Sequence, residues 1–281
     1  MKPNEKFLKK PKSFWASVRS ISQVVGYSKD QKVIAAKARQ MVAAFRKLKL
    51  GGDHLTSGGS MTEFAQDLEE YFEERAHVLS DAVEPKLMNA AQAESLFDVT
   101  WRQFDHKCPV PMNKQKGEKR AKAFFSALVN IMVERHAQGL PCDYDPRRMT
   151  TITRSRAPLR TMSRRVDGAF PSTVNPIAIW EIKEYYYTTT FGSRIADGVY
   201  ETLLDGMEIE ELREHEDISV KHYLMVDGYR TWWEDGKSYL CRLFDMLHMG
   251  YVDEVLFGRE VVEEMPRIVG EWVATYGLRS H

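Results

Sequence analysis

Three side chains of complementary chemistry stand in one short stretch of this sequence: Asp167, Glu181 and Lys183. The stretch, residues 164–194, reads as strand, turn, strand and the start of a helix. Asp167 falls at the end of the first strand, just before Gly168, and Glu181 and Lys183 at the end of the second. In a strand, residues i and i+2 point to one face, so Glu181 and Lys183 project side by side. If the two strands pair around the Ala169–Asn175 loop, Asp167 reaches the same spot. Two carboxylates and an ammonium then meet at the edge of an apolar sheet. Such a group holds a hard divalent cation through oxygen ligands and sets a lysine beside a bound water.

An acid two residues before a lysine is a weak signal alone. The chain also has it at Asp30/Lys32, Glu84/Lys86, Asp105/Lys107 and Asp235/Lys237. Those four read as solvated charges. Glu181 and Lys183 differ because they close an apolar run, Ile177-Ala178-Ile179-Trp180, with Ile182 between them. A charged pair inside a buried-strand pattern is costly unless it is paired or binds something. The bland reading is a structural Glu–Lys pair at a strand end.

On these residues the stretch resembles the PD-(D/E)xK nuclease superfamily, which includes many restriction endonucleases. Asp167 matches the superfamily's first acid, Glu181 its second and Lys183 its lysine; Val166 stands where the pattern's name has proline. The resemblance covers about residues 150–275. It implies an endonuclease that hydrolyses phosphodiester bonds of double-stranded DNA, of the Type II restriction kind. Asp167, Glu181 and the carbonyl of Ile182 would hold Mg²⁺, with Mn²⁺ able to substitute, and Lys183 would orient the attacking water. It also implies a homodimer, because a palindromic site mirrors two-fold symmetry; a cytoplasmic location is expected separately, from an N-terminus without an apolar signal core and an odd, scattered set of three cysteines. Two other readings stay open: a nuclease of the same core in repair, recombination or antiviral defence, or a non-catalytic nucleic-acid-binding protein.

The surrounding chain supplies candidate phosphate contacts. Arg147, Arg148, Arg154, Arg156, Arg160, Arg164 and Arg165 precede the first acid with no acidic residue among them. Arginine forks fit phosphates, and phosphate contacts dominate nucleic-acid affinity. Arg154, Arg156, Arg160, Arg164 and Arg165 are therefore candidate DNA contacts, and Met149–Thr153 reads as an extended ribbon along a groove. Ser193 and Arg194 open a helix, where an anion is welcome. Tyr185–Tyr187 and Thr188–Thr190 form a polar-aromatic loop nearby. The alternative for the arginines is neutralisation of acidic helices.

The 281 residues carry 40 Lys/Arg and 40 Asp/Glu, so net charge says nothing about partners. The charges are nonetheless segregated: residues 1–50 hold 13 basic residues against two acids, whereas 51–110 hold four against 12. Three separated cysteines without a CxxC indicate neither a zinc site nor a disulfide framework. No run is long and apolar enough for a membrane span.

Periodicity and breakers give the frame that must position the site. Residues 1–110 read as a helical region, with helices over Ser13–Tyr27, Lys29–Leu48, Thr62–Asp81 and Ala93–Phe104, in a role of DNA binding or dimerisation. Residues 111–281 read as the catalytic domain. Lys114–Gly139 reads as one long helix whose Glu134 is a candidate further metal acid. Val220–Val226 and Val252–Phe257 read as strands, and Tyr239–Gly250 and Glu260–Tyr276 as helices. The expectation is an α/β fold with a mixed central sheet flanked by helices, a restriction-endonuclease-like core by the resemblance. Asp235-Gly236-Lys237-Ser238 imitates the end of a phosphate-binding loop, but Thr231 stands where the motif needs glycine.

Overall fold

The computed structural model describes residues 1–115, 118–187 and 193–279; the side chains of 114, 115, 118–120, 193 and 194 lie outside that description. The helical N-terminal region holds α1 (Glu5–Leu8), α2 (Lys12–Val25), the hairpin β1–β2 (Ser28–Lys29, Lys32–Val33) and α3 (Ala38–Lys47). The hairpin β3–β4 (Thr56–Ser57, Ser60–Met61), α4 (Glu63–Val78) and α5 (Ala90–Arg102) complete it. Then come the hairpin β5–β6 (Met112–Gln115, Glu118–Lys122), α6 (Phe124–His136), β7 (Asp143–Tyr144) and the hairpin β8–β9 (Thr151–Arg154, Ala157–Thr161). The last elements are β10 (Gly168–Phe170), β11 (Ala178–Glu184), α7 (Ser193–Glu216), β12 (Lys221–Asp227), α8 (Lys237–His248), β13 (Glu254–Phe257) and α9 (Glu260–Arg279).

Five strands form the central sheet in the order β13-β12-β11-β10-β7. It is mixed: β11, β12 and β13 run parallel, while β10 is antiparallel to both β11 and β7. Parallel neighbours need a crossover, and α7 and α8 supply it. Alternation along β12 splits the core. Leu224 and Val226 face α4, α7, α8 and the N-terminal aromatics Phe7, Phe14 and Tyr71. Tyr223 and Met225 face α5, α6 and α9, where Trp180 stacks on Trp272 at 5.4 Å. The N-terminal helices thus share a core with the sheet. Among the described residues, no helix is long and apolar enough to cross a membrane.

Two expected helices are corrected. Lys29–Leu48 begins as the β1–β2 turn, with Asp30 and Gln31 at positive φ, and turns helical only at Ala38. Lys114–Gly139 is the β5–β6 hairpin followed by a helix from Phe124. The inward apolar stripe runs only from residue 123 onward. A helix over the preceding segment would also stack Lys116 against Lys119 and Arg120 at i+3 and i+4, a like-charge arrangement that disfavours it.

Candidate functional site

Glu181 and Lys183 lie on the face of β11 that α7 covers, while Trp180 and Ile182 turn to the α6–α9 side. Both charged residues are buried, Glu181 completely. Asp167 comes one residue before β10 rather than at the end of a strand. The antiparallel register pairs Gly168 with Trp180, so Asp167 sits opposite Glu181, midway along β11. Its amide donates to the Trp180 carbonyl at 3.1 Å, and its Oδ2 accepts the Ile182 amide at 2.7 Å. Register therefore brings Asp167, Glu181 and Lys183 to one place. Gly168 makes this pairing possible: a Cβ there would stand 2.0 Å from the Trp180 ring.

The remaining partners come from elsewhere. Lys183 Nζ reaches Glu181 Oε2 at 2.9 Å and Glu201 Oε2, on α7, at 2.8 Å. Arg164 Nη1 lies 2.8 Å from Glu181 Oε1 and 2.6 Å from Asp205 Oδ2, and Nη2 donates to Glu181 Oε2 at 3.0 Å. Gly198 lets α7 approach, since a Cβ there would stand 2.9 Å from the Tyr185 hydroxyl and 3.3 Å from Lys183 Cδ. Glu201 and Asp205 went unnoticed in the sequence. Their signal was spacing: Glu201, Asp205 and Glu208 fall at i, i+4 and i+7, so one face of α7 carries three acids. Asp205 and Glu208 are buried, and buried carboxylates need partners. Glu208 finds its own in the Ser163 amide and hydroxyl.

The electrostatics are strongly perturbed. Burial, and then Glu181, push the Asp167 carboxyl up to about 7. Burial and Glu181 do the same to Asp205. Burial opposes the charge on Glu181, but Lys183 and Arg164 outweigh it and hold the carboxyl below its ordinary value. Burial likewise opposes the Lys183 ammonium, and Glu181, Asp167 and Glu201 hold it above its ordinary value. Among the described residues, no three His, Cys, Asp or Glu side chains already converge as a metal cage. Arg164 and Lys183 occupy the space between the carboxylates. The donor set nevertheless suits a hard cation. All its donor atoms are oxygens, and among the described residues Glu181 Oε1 and Asp205 Oδ1 are buried without a hydrogen bond.

The other candidates are dispersed. Arg154 pairs with Glu216 at 3.1 Å and Arg160 with Glu211 at 2.8 Å, both on α7. Arg156 is exposed at the tip of the β8–β9 hairpin at positive φ, and Arg165 is exposed. Arg164 faces inward, so the structure assigns it to the carboxylate cluster rather than to an outer phosphate-facing surface. The side chains of Ser193 and Arg194, and the residues Thr188–Thr190, lie outside the described residues. Glu134 accepts the amides of Lys107 and Cys108 at 3.0 Å, holding a loop away from the cluster. Trp232 and Trp233 are buried, and Lys237 is buried too, donating to Gln31 and to the Trp233 carbonyl.

Asp227, at the end of β12, offers a measurable consequence of burial outside the cluster. Its Oδ1 accepts the amides of Met88 and Gly228 at 2.7 and 2.8 Å, and its Oδ2 accepts the Tyr186 hydroxyl. Burial still pushes the carboxyl up to about 7. A folded pKa above the unfolded one contributes stability that is complete below pH ~4 and is lost as pH rises through 7. Asp227→Asn retains the amide acceptor and removes the titration. Urea unfolding at pH 4 and 7.5 should show the variant losing less stability than the native chain, by an amount on the order of a few kcal/mol. Equal losses would mean that the Asp227 carboxyl titrates alike in the folded and unfolded chain.

Residues 88–272, more than half of the chain, match the family model described as Domain of unknown function (DUF7687). Residues 1–82 match a second, described as Domain of unknown function (DUF7690). No curated protein matches the chain. No solved structure matches it either.

Proposed function

We propose, for a chain that belongs to the DUF7687 family and carries its whole charged cluster inside the matched span, a metal-dependent endonuclease acting on double-stranded DNA. Its core is read as restriction-endonuclease-like and its type as sequence-specific. One observation carries the reading: residues 167, 181 and 183 meet through strand register on a mixed sheet, with Lys183 Nζ 2.9 Å from Glu181. Asp167 and Glu181 would hold Mg²⁺ or Mn²⁺, together with the carbonyl of Ile182. When bound, the cation would polarise the scissile phosphate and lower the pKa of an attacking water. The chain's own part is narrower. Lys183 would hold that water or offset developing charge, and the Ile182 amide fixes the orientation of Asp167. A homodimer in the cytoplasm suits cleavage of both strands of a palindromic site.

The β8–β9 hairpin supports duplex DNA as substrate. It is a two-stranded ribbon with exposed Arg156 at its tip and with Arg154 and Arg160 paired to the α7 carboxylates of Glu216 and Glu211. Such a ribbon has the dimensions to enter a major groove. Replacing Arg154, Arg156 and Arg160 by alanine should weaken binding and flatten its salt dependence, each lost phosphate contact lowering the slope by about one. An unchanged slope would leave these arginines as partners of α7 alone.

A second reading has its own support. Glu181 is ion-paired with both Arg164 and Lys183, which suits a structural network in a non-catalytic nucleic-acid-binding protein. Incubating the protein with duplex DNA with and without Mg²⁺ separates the two. Cleavage favours the first, and salt-dependent binding without cleavage favours the second.

A further inference from the structure

We propose that Arg164 is an exchangeable internal counter-ion: it holds Glu181 and Asp205 together in the metal-free protein, and a divalent cation bound between those carboxylates displaces it. Asp205 on α7 is then a metal ligand that neither strand supplies. The inference rests on the reading that Glu181 binds a cation, and not on what the cation does to DNA.

Four observations converge. A single nitrogen, Arg164 Nη1, lies 2.6 Å from Asp205 Oδ2 and 2.8 Å from Glu181 Oε1. An Mg²⁺ ion at that point needs the two oxygens to close by about 0.5–0.8 Å to reach its roughly 2.0–2.1 Å coordination distance. The guanidinium also leaves acceptors unused. Among the described residues Asp205 Oδ1 is buried with no hydrogen bond, and Glu181 Oε1 has the 2.8 Å ion-pair contact with Arg164 but no hydrogen bond, although both side chains are fully enclosed. Buried acceptors are ordinarily satisfied, and a cation taking several oxygen ligands would engage them.

Charge balance points the same way. Among the described residues, the cations that face Asp167, Glu181, Glu201 and Asp205 are Arg164 and Lys183, so replacing a monovalent guanidinium by a divalent ion reduces the negative excess. Finally, Arg164 has an exit and Lys183 does not. The Arg164 side chain is 21% exposed and lies between β9 and β10, outside any strand, whereas that of Lys183 is 6% exposed and fixed in β11. Arginine cannot leave by losing its proton, so it must move. Once released at the surface, its fork is available to a phosphate.

The test is calorimetric titration of the full chain with MgCl₂ and with MnCl₂, alongside thermal unfolding, with no DNA present. Arg164→Gln should melt lower than the native chain without metal, yet bind metal about 10-fold more tightly and gain more melting temperature from it; Asp205→Asn should bind about 10-fold more weakly. Asp227→Asn, a buried acid outside the cluster, should bind as the native chain does. If Arg164→Gln does not fold, Arg164→Lys keeps the charge but loses the fork and should still bind metal more tightly than native. Native-like affinity in both the Arg164 and the Asp205 variants overturns the exchange while leaving the proposed function standing, provided the native chain binds metal and cuts DNA. No binding by the native chain up to about 10 mM, beyond the weakest ordinary sites, overturns both.

Discussion

Glu181→Gln should lower DNA cleavage by at least ~10²-fold while preserving DNA affinity, the scale expected when one electrostatic stabiliser is deleted. The glutamine is chosen because of what Glu181 touches. An alanine would leave Arg164 and Lys183 buried without their shared carboxylate, and breaking a buried ion pair from one side costs about 3–5 kcal/mol. Lost folding would then imitate lost catalysis. Glutamine keeps the volume and one acceptor, and removes the charge. Lys183→Met should lower cleavage comparably, since it deletes the ammonium and retains the apolar stem. The control is Glu84→Ala, which alters another acid-x-Lys pair. Glu84 accepts a hydrogen bond from Tyr229 at 3.0 Å, far along the chain from the cluster, and its loss should scarcely change cleavage. Equal losses in Glu84→Ala and Glu181→Gln would remove the site from this part of β11.

The largest stability effect should come from a different charge. Arg75 on α4 is fully buried, and Nη1 bonds both oxygens of Asp245 on α8 at 3.1 and 3.3 Å. Tyr71 donates its hydroxyl to the same carboxylate at 2.6 Å, and the guanidinium lies 4.9 Å from the Phe72 ring centroid. This cluster ties the segment that matches DUF7690, residues 1–82, to the helix that follows β12, inside the span that matches DUF7687. Arg75→Ala removes one partner, strands the Asp245 charge and opens a void, so it should destabilise by about 3–5 kcal/mol. For a chain of this size that is a fall in melting temperature of the order of 10 °C. Asp245→Asn should cost less, because a neutral side chain still accepts from Tyr71. A melting temperature unchanged in Arg75→Ala would mean that α4 and α8 are held by their apolar faces alone.

Legibility in the sequence followed the length of each element and the side on which its partners lie. β11 and β12 were readable because each is a long apolar run, and the Glu181/Lys183 pair because period two fixes its face. α4 and α9 were readable from their stripes. β7 was not, because a two-residue strand is defined by the chain it pairs with, here β10. The β5–β6 hairpin failed for the converse reason: its charged residues fit either period until the apolar stripe beginning at 123 is separated from them. Asp167 was placed at the wrong end of its strand, yet reached the right neighbour. Antiparallel register brings together residues equally far from the intervening loop, whether a strand is extended by one residue or ended by one. Asp205 and Glu201 needed α7 laid across the sheet, a long-range contact that spacing on one helix suggests but cannot aim. Arg164 looked like its six neighbours in the arginine-rich segment. Only packing distinguishes it, because its fork turns toward Glu181 and Asp205 while Arg156 and Arg165 remain exposed.

Incubation with duplex plasmid or phage DNA, with Mg²⁺ present and then with excess EDTA, decides whether the cluster on β11 supports metal-dependent hydrolysis. Two carboxylates and a carbonyl offer hard oxygen ligands and no sulfur or imidazole, so Mg²⁺ or Mn²⁺ should support the reaction. Discrete fragments are expected with either ion, and intact DNA in EDTA. Undiminished cleavage in EDTA, or DNA bound in a salt-dependent way but never cut with either ion, would contradict metal-dependent hydrolysis.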